Sequence, residues 1–341
     1  MKTLIVLLLL FTTAIFAQNK TEMMETTENE TVSKNLNTDF RFHSQIFFNY
    51  SYTKEEQGFN LHNNRFYFGF KKNINKIFSA RFTLDVGKNA MERYGAFMKY
   101  GYLKAQFTKE LSLTMGIFLN PIHGFSNKFW GHRYITSAYG GSYWNAVPQG
   151  VILDYNMGKL LKASLLFTNG SGYKFVGDND KDKDIAIVLI SNPIEGLDIA
   201  LHVKYIIPIH DDSEATTQGT AFLGYSMKFF KLGYQFLFKS TKANKVIGED
   251  SKTITSMGHV IYARIMPLKE YEVFGSFLMN DPDTDADKDK DFKAIGGLEY
   301  KYSKGLKFAG SYETKWSDKE NAEGKTEDPE FTIWLSSYVN F

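Results

Sequence analysis

The strongest constraint on this chain is an alternation of period two, carried through short segments that stop at regular intervals. Residues 331–341 show it plainly. Phe331, Ile333, Leu335, Val339 and Phe341 are apolar, with mainly polar residues between them. Successive side chains of a strand point to opposite faces, so a segment of this kind has one apolar and one polar side. Similar segments recur at 40–53, 62–72, 76–87, 94–108, 110–119, 149–157, 160–169, 184–191, 196–208, 218–229, 230–241, 254–266, 270–280, 292–302, 304–316 and 331–341, about sixteen in all. Most are close to the roughly 9 to 11 residues that a tilted strand needs to cross a bilayer.

The connections carry the second constraint. Tight turns near 73–75, 109, 158, 193–195, 230, 267–269 and 303 alternate along the chain with long polar loops at 54–60, 88–93, 120–148, 170–183, 209–217, 242–253, 281–291 and 317–330. Short turns on one side of a membrane and long loops on the other are expected of an antiparallel up-and-down barrel, with its apolar face toward lipid and its polar face toward a wet lumen. A soluble sandwich gives no reason for such sorting. The expected fold is therefore all-β, a transmembrane barrel of about sixteen strands over residues 39–341, with an even count that leaves both ends in the periplasm. Residues 331–341 should pair with the first strand, remove both sheet edges, and leave Phe341 at the periplasmic rim.

The first residues bear on the compartment. Lys2 precedes an apolar run from Leu4 to Phe11, and small residues lead to Ala17, so 1–17 reads as a cleaved signal peptide. Residues 18–38 are acidic, rich in Thr and Asn and poor in apolar side chains, and read as a disordered periplasmic segment. No stretch approaches the roughly 20 apolar residues of a membrane-spanning helix. The chain has no cysteine, so neither a lipid-anchored cysteine nor a disulfide framework is available. Aromatic residues make up 16% of the sequence, as membrane-interface girdles require. A net charge of +2, without a basic run, makes no case for nucleic acid.

Strand parity assigns the lumen. Where Phe40, Phe42, Phe66, Phe68, Phe78 and Phe82 face lipid, Arg41, Arg65 and Arg81 face inward, and the same rule sends Lys104, Lys162, His202, Lys204, Lys239, Arg264, Lys293, Lys301, Lys307 and Lys315 inside. Asp85, Asp154, Asp198, Glu272, Glu299 and Glu313 face them. Inward basic residues thus outnumber acidic ones about two to one on this assignment. Charge on the lipid face would cost about 2 to 4 kcal/mol near the midplane. A basic lumen raises the local concentration of anions.

The loop at 120–148 is long for a segment without structure of its own, and such loops are usually functional or disordered. Its Phe125, Phe129, Trp130, Tyr134, Tyr139, Tyr143 and Trp144 argue against disorder. They suit packing on an inner wall, which would bring Lys128, His132 and Arg133 to a constriction. An arginine fork can bind phosphate or carboxylate there. Capping of the outer mouth, or pairing of Arg133 with Asp154, is the competing placement.

From Tyr102 through Gly116, Asn120 and Pro121 to the stretch Trp130–Tyr134 (WGHRY), the chain resembles the porin O and P family of Gram-negative outer membranes, often labelled phosphate-selective. The resemblance implies a passive porin of sixteen strands, commonly a homotrimer, with the loop after strand five inside each pore. A phosphate-selective member is expected to line its channel densely with arginine. This loop carries only Arg133.

The aspartates at 281, 283, 285, 287, 289 and 291 lack the glycine and the terminal glutamate of a calcium loop, so they read as a solvated loop meeting lipopolysaccharide. The seven histidines show no zinc spacing and no serine motif lies nearby, so no enzyme is expected. No cofactor is implied. The expected function is passive diffusion of small hydrophilic solutes through the outer membrane, with a modest anion preference set by Arg41, Arg65, Arg81, Lys104, Lys128, His132 and Arg133. The alternative is a structural or interaction subunit of an outer-membrane assembly with a blocked pore.

Overall fold

A computed structural model describes residues 40–53, 65–88, 94–140, 143–173, 182–209, 215–242, 253–319, 326 and 328–340. The leader 1–17, the segment 18–38, Phe341 and parts of the long loops at 54–60, 88–93, 170–183, 209–217, 242–253 and 317–330 lie outside the described residues.

The described chain forms sixteen antiparallel strands: β1 (Phe40–Thr53), β2 (Arg65–Asn73), β3 (Phe78–Lys88), β4 (Tyr94–Gln106), β5 (Leu111–Ile117), β6 (Pro148–Asn156), β7 (Lys162–Gly172), β8 (Lys183–Ser191), β9 (Leu197–Ile207), β10 (Thr216–Ser226), β11 (Phe230–Lys242), β12 (Thr253–Ile265), β13 (Tyr271–Asp281), β14 (Asp291–Ser303), β15 (Leu306–Ser317) and β16 (Glu330–Asn340). Each pairs with its neighbours in sequence, and β16 returns to β1 in a register running from Gln45↔Asn340 to Thr53↔Thr332. Closure gives every strand two partners, so no ladder edge is left to pair with another chain.

The turns are short at one end because local side chains satisfy them. Between β2 and β3, Asn75 Oδ1 accepts from the backbone N–H groups of Ile77 and Phe78 at 2.9 and 2.7 Å. Between β4 and β5, Thr108 Oγ1 accepts from Leu111 N–H at 3.0 Å. These Asx- and Thr-type turns reverse the chain in a few residues.

Parity holds through most of the cylinder. Phe42, Phe48, Phe68, Phe167, Leu223 and Leu335 are exposed on the outside, while Asn49, Ser51, Thr83, Asp85, Gln235, Glu272 and Glu299 are buried inside. One place breaks it. In the β3/β4 ladder Thr83 faces Tyr100 and Leu84 faces Met98, so Lys99 is the extra residue of a β-bulge. A bulge re-aims the side chain it inserts. Here it turns Lys99 inward beside Tyr100, and both are buried.

From β10 to β14 the inward row carries large apolar side chains among its polar ones. Phe222, Leu237, Val260, Tyr262, Phe274 and Ile295 point inside and are at most 3% exposed. Those strands therefore carry apolar residues on both faces, and something apolar covers the inner one.

Candidate functional site

The cover is the segment between β5 and β6. Where the sequence suggested an extended loop, residues Pro121–Trp130 form a helix, α1. Asn120 caps it by accepting from Ile122 N–H, Pro121 supplies a preset φ at the first turn, and Gly131, with φ 81°, ends it by donating to Asn127 O. These are ordinary start and stop signals. The helix buries Ile122, His123, Ser126, Phe129 and Trp130, leaving Lys128 exposed.

The aromatic side chains of the segment meet the inner wall. The Phe129 ring packs on Phe222 at 4.8 Å, and it rests over the cross-strand pair Gly224 and Gly233. A Cβ at either glycine would stand 2.5 to 2.6 Å from a ring carbon, so the seat exists because both lack one. Trp130 packs on Tyr262 and Phe274, each at 5.7 Å. Tyr134 donates to Glu299 Oε2 at 2.8 Å, Tyr143 to Asn280 at 2.9 Å, and Arg264 Nη1 to Phe129 O at 2.8 Å.

His132 sits at the centre of this contact, wholly buried. Its Nδ1 lies 2.9 Å from Trp130 O, its Nε2 lies 3.4 Å from Glu272 and 3.6 Å from Glu299, and its ring stacks on Phe274. Burial holds the imidazole down, to about 3, against the opposing pull of Glu272. His132, Glu272 and Glu299 have the atoms to hold a metal ion. Arg264 and Lys301 already pair with Glu272, and Lys307 and Lys301 with Glu299. A divalent cation would enter a cluster whose carboxylates are neutralised, so the group reads as an ion-pair network that ties the segment to the wall. Lys293 and Lys315 likewise pair with Glu313.

The opposite arc is differently charged. A cavity of about 550 Å³ on the short-turn side is bordered by Arg81, Lys104, Lys128, Lys162 and Lys231, with Asp154 and Asp198. No ion pair forms among these seven within 4 Å; Asp154 instead accepts from Ser164, and Asp198 from Asn192 and Ser226. Arg81 lies over the Tyr100 ring at 4.3 Å. A second cavity, about 470 Å³, opens on the long-loop side of the segment and is bordered by Arg65, Lys99 and Arg133 together with aromatic residues. Arg133 donates to Tyr67 at 3.1 Å instead of pairing with Asp154.

Of the residues that parity and the loop nominated, Arg65 and Arg133 border one cavity, and Arg81, Lys104 and Lys128 the other. Arg41 is exposed near the short-turn end of β1, across from Lys71. His132 borders neither cavity. Sequence reasoning missed Lys99, because the bulge that aims it inward has no signal in the alternation. It also passed over Lys231, whose parity was there to be used.

No protein-family model and no curated protein matches this chain. Its fold does have solved counterparts. It is similar to an anion-selective porin from Comamonas acidovorans, with a TM-score of 0.67 and 11% identity over 89% of this chain and 100% of that one. The outer membrane channel DcaP of Acinetobacter baumannii is alike at 0.67 and 11%, over 91% and 99%. OmpT of Vibrio cholerae, an outer-membrane protein, gives 0.64 and 10%, over 91% and 100%. At such identities the likeness is one of fold: the chain has the closed sixteen-stranded barrel found among outer-membrane porins.

Proposed function

We propose that the chain is a porin of a Gram-negative outer membrane, allied to the O and P group, through which small hydrophilic solutes diffuse passively with a modest preference for anions. The reading rests above all on the cations of the short-turn cavity, which no ion pair within 4 Å compensates. Arg81, Lys104, Lys128, Lys162 and Lys231 border it against only Asp154 and Asp198, whereas Glu272 and Glu299 on the covered arc, and Glu313 on β15, are each held in ion pairs. A low-dielectric channel strengthens the field of such groups and raises the entry rate of anions.

In this reading Arg65, Arg81, Lys104, Lys128 and Arg133 act on the passing solute directly. Arg41 acts at the periplasmic mouth. His132 acts indirectly, by fixing the segment that narrows the lumen. The short-turn end faces the periplasm, the leader is removed on export, the long loops meet lipopolysaccharide, and the working form is a homotrimer. The name of the Comamonas porin, anion-selective, agrees with the charge preference.

Swelling of proteoliposomes in isotonic solutes tests the proposal. Small sugars and amino acids should enter, and entry should slow steeply with size. Vesicles that stay impermeable to every solute would overturn the porin reading in favour of a barrel with a blocked pore, retained as a subunit of an assembly.

A further inference from the structure

The cavity on the long-loop side has a composition that a non-specific passage does not require. We infer that it is a binding site for small organic dianions carrying an aromatic or apolar body. This deepens the porin reading and rests on it only for the route by which the ligand arrives.

Charge comes first. Arg65, Lys99 and Arg133 set three basic groups against the single carboxylate of Asp85. Asp85 Oδ2 is engaged by Arg65 Nη1 at 2.8 Å and by the Tyr173 hydroxyl. Lys99 Nζ is 4.0 Å from the same oxygen, 3.7 Å from the centroid of the Tyr67 ring, and has no hydrogen-bond partner. Its side chain is 3% exposed. An ammonium group without an acceptor, taken out of water, is costly unless something supplies one. Arg133 adds a second unused donor: Nη2 bonds Tyr67, but the enclosed Nε bonds nothing. Asp85 Oδ1 is also unpartnered and disfavours an anion at its own end of the cavity. The ligand's charge therefore belongs at the Lys99 and Arg133 end.

Shape and lining decide the rest. At about 470 Å³ the cavity is much larger than an inorganic oxyanion needs. Phe47, Tyr67 and Tyr134 supply ring surface, with Ile135 and Val147 beside them. The Phe47 and Tyr67 rings are already edge-on at 5.4 Å, and a third aromatic body can join such a cluster. A dianionic head at the cations with an apolar body over these rings uses both features. An inorganic ion uses one.

Phenyl phosphate and inorganic phosphate make the matched test, since their heads are alike and only one carries a ring. Binding to the purified full chain in detergent, followed by isothermal titration calorimetry, does not depend on conduction. Phenyl phosphate should bind about tenfold more tightly than phosphate, and Lys99→Met and Arg133→Gln should each weaken it at least tenfold. The strand circular dichroism signal identifies a variant that has not folded, and the other then carries the test. Equal affinity for the two ions, or unchanged phenyl phosphate affinity in the folded variants, overturns the site. Binding as expected by a protein that passes no solute supports the site and overturns the porin reading alone.

Discussion

Replacing Trp130 by alanine isolates the grip of the β5–β6 segment on the wall. The side chain is 1% exposed, lies against Tyr262 and Phe274, and donates from Nε1 to Thr136 O at 3.0 Å. Removing a buried tryptophan costs about 3 to 5 kcal/mol through lost transfer energy and the cavity it leaves. Nothing in the strand ladder depends on this ring, so the loss falls on local opening of the segment, not on the barrel. At about 1.4 kcal/mol per decade, opening becomes roughly 10² to 4 × 10³ times more frequent. Hydrogen exchange in detergent reads it at Gly124, Gly131 and Thr136, whose N–H groups donate to Asn120 O, Asn127 O and His132 O. Those amides should lose protection while amides in the middle of β10 to β12 keep theirs. Unchanged protection in the segment, or equal loss in the strands, would refute the claim that this ring locks a separately opening unit onto a preformed wall.

Gly233→Ala attacks the same dock from the wall: its Cβ falls 2.5 Å from a Phe129 ring carbon, so α1 must shift. The exchange of its amides should rise by at least tenfold, measured in the same way. Reversing charge in the short-turn cavity with Lys104→Glu and Lys162→Glu together changes the balance there by four units. Single-channel recordings should show the anion preference lost or inverted, with strand content unchanged. Burial, with Arg133 and Lys99 nearby, holds His123 down from 6.5 to about 3, leaving it neutral when folded. Between those values the unfolded chain binds a proton that the folded chain does not. Stability therefore falls as pH drops through that window, by at most about 1.4 kcal/mol per pH unit from this group. Urea midpoints in micelles from pH 7 to pH 4 should fall less steeply for His123→Gln.

The barrel was legible because each of its causes is local and repeated. Period-two alternation located all sixteen strands within a few residues, tight turns separated one kind of connection from the other, and the parity rule sent Arg65, Arg81 and Lys104 to the face on which they border the two cavities. What it missed depends on contacts between distant parts of the chain. Lys99 faces inward through a bulge defined only against β3. The partners of Glu272 and Glu299 are set by register across β12 to β15, which period alone leaves free. Two signals were present and unused. Asn120-Pro121 with Gly131 marks the ends of a ten-residue helix. Apolar residues on both parities of β10 to β14, among them Val260, Ile261 and Tyr262, mark the arc that needed covering.

The central claim is that uncompensated lysines and arginines around a loop-narrowed lumen favour anions in passive transport. The zero-current potential of the reconstituted protein across a KCl gradient tests it most directly. Chloride should move ahead of potassium toward the dilute side, leaving the concentrated side positive. A stable conductance with the concentrated side negative would contradict the account.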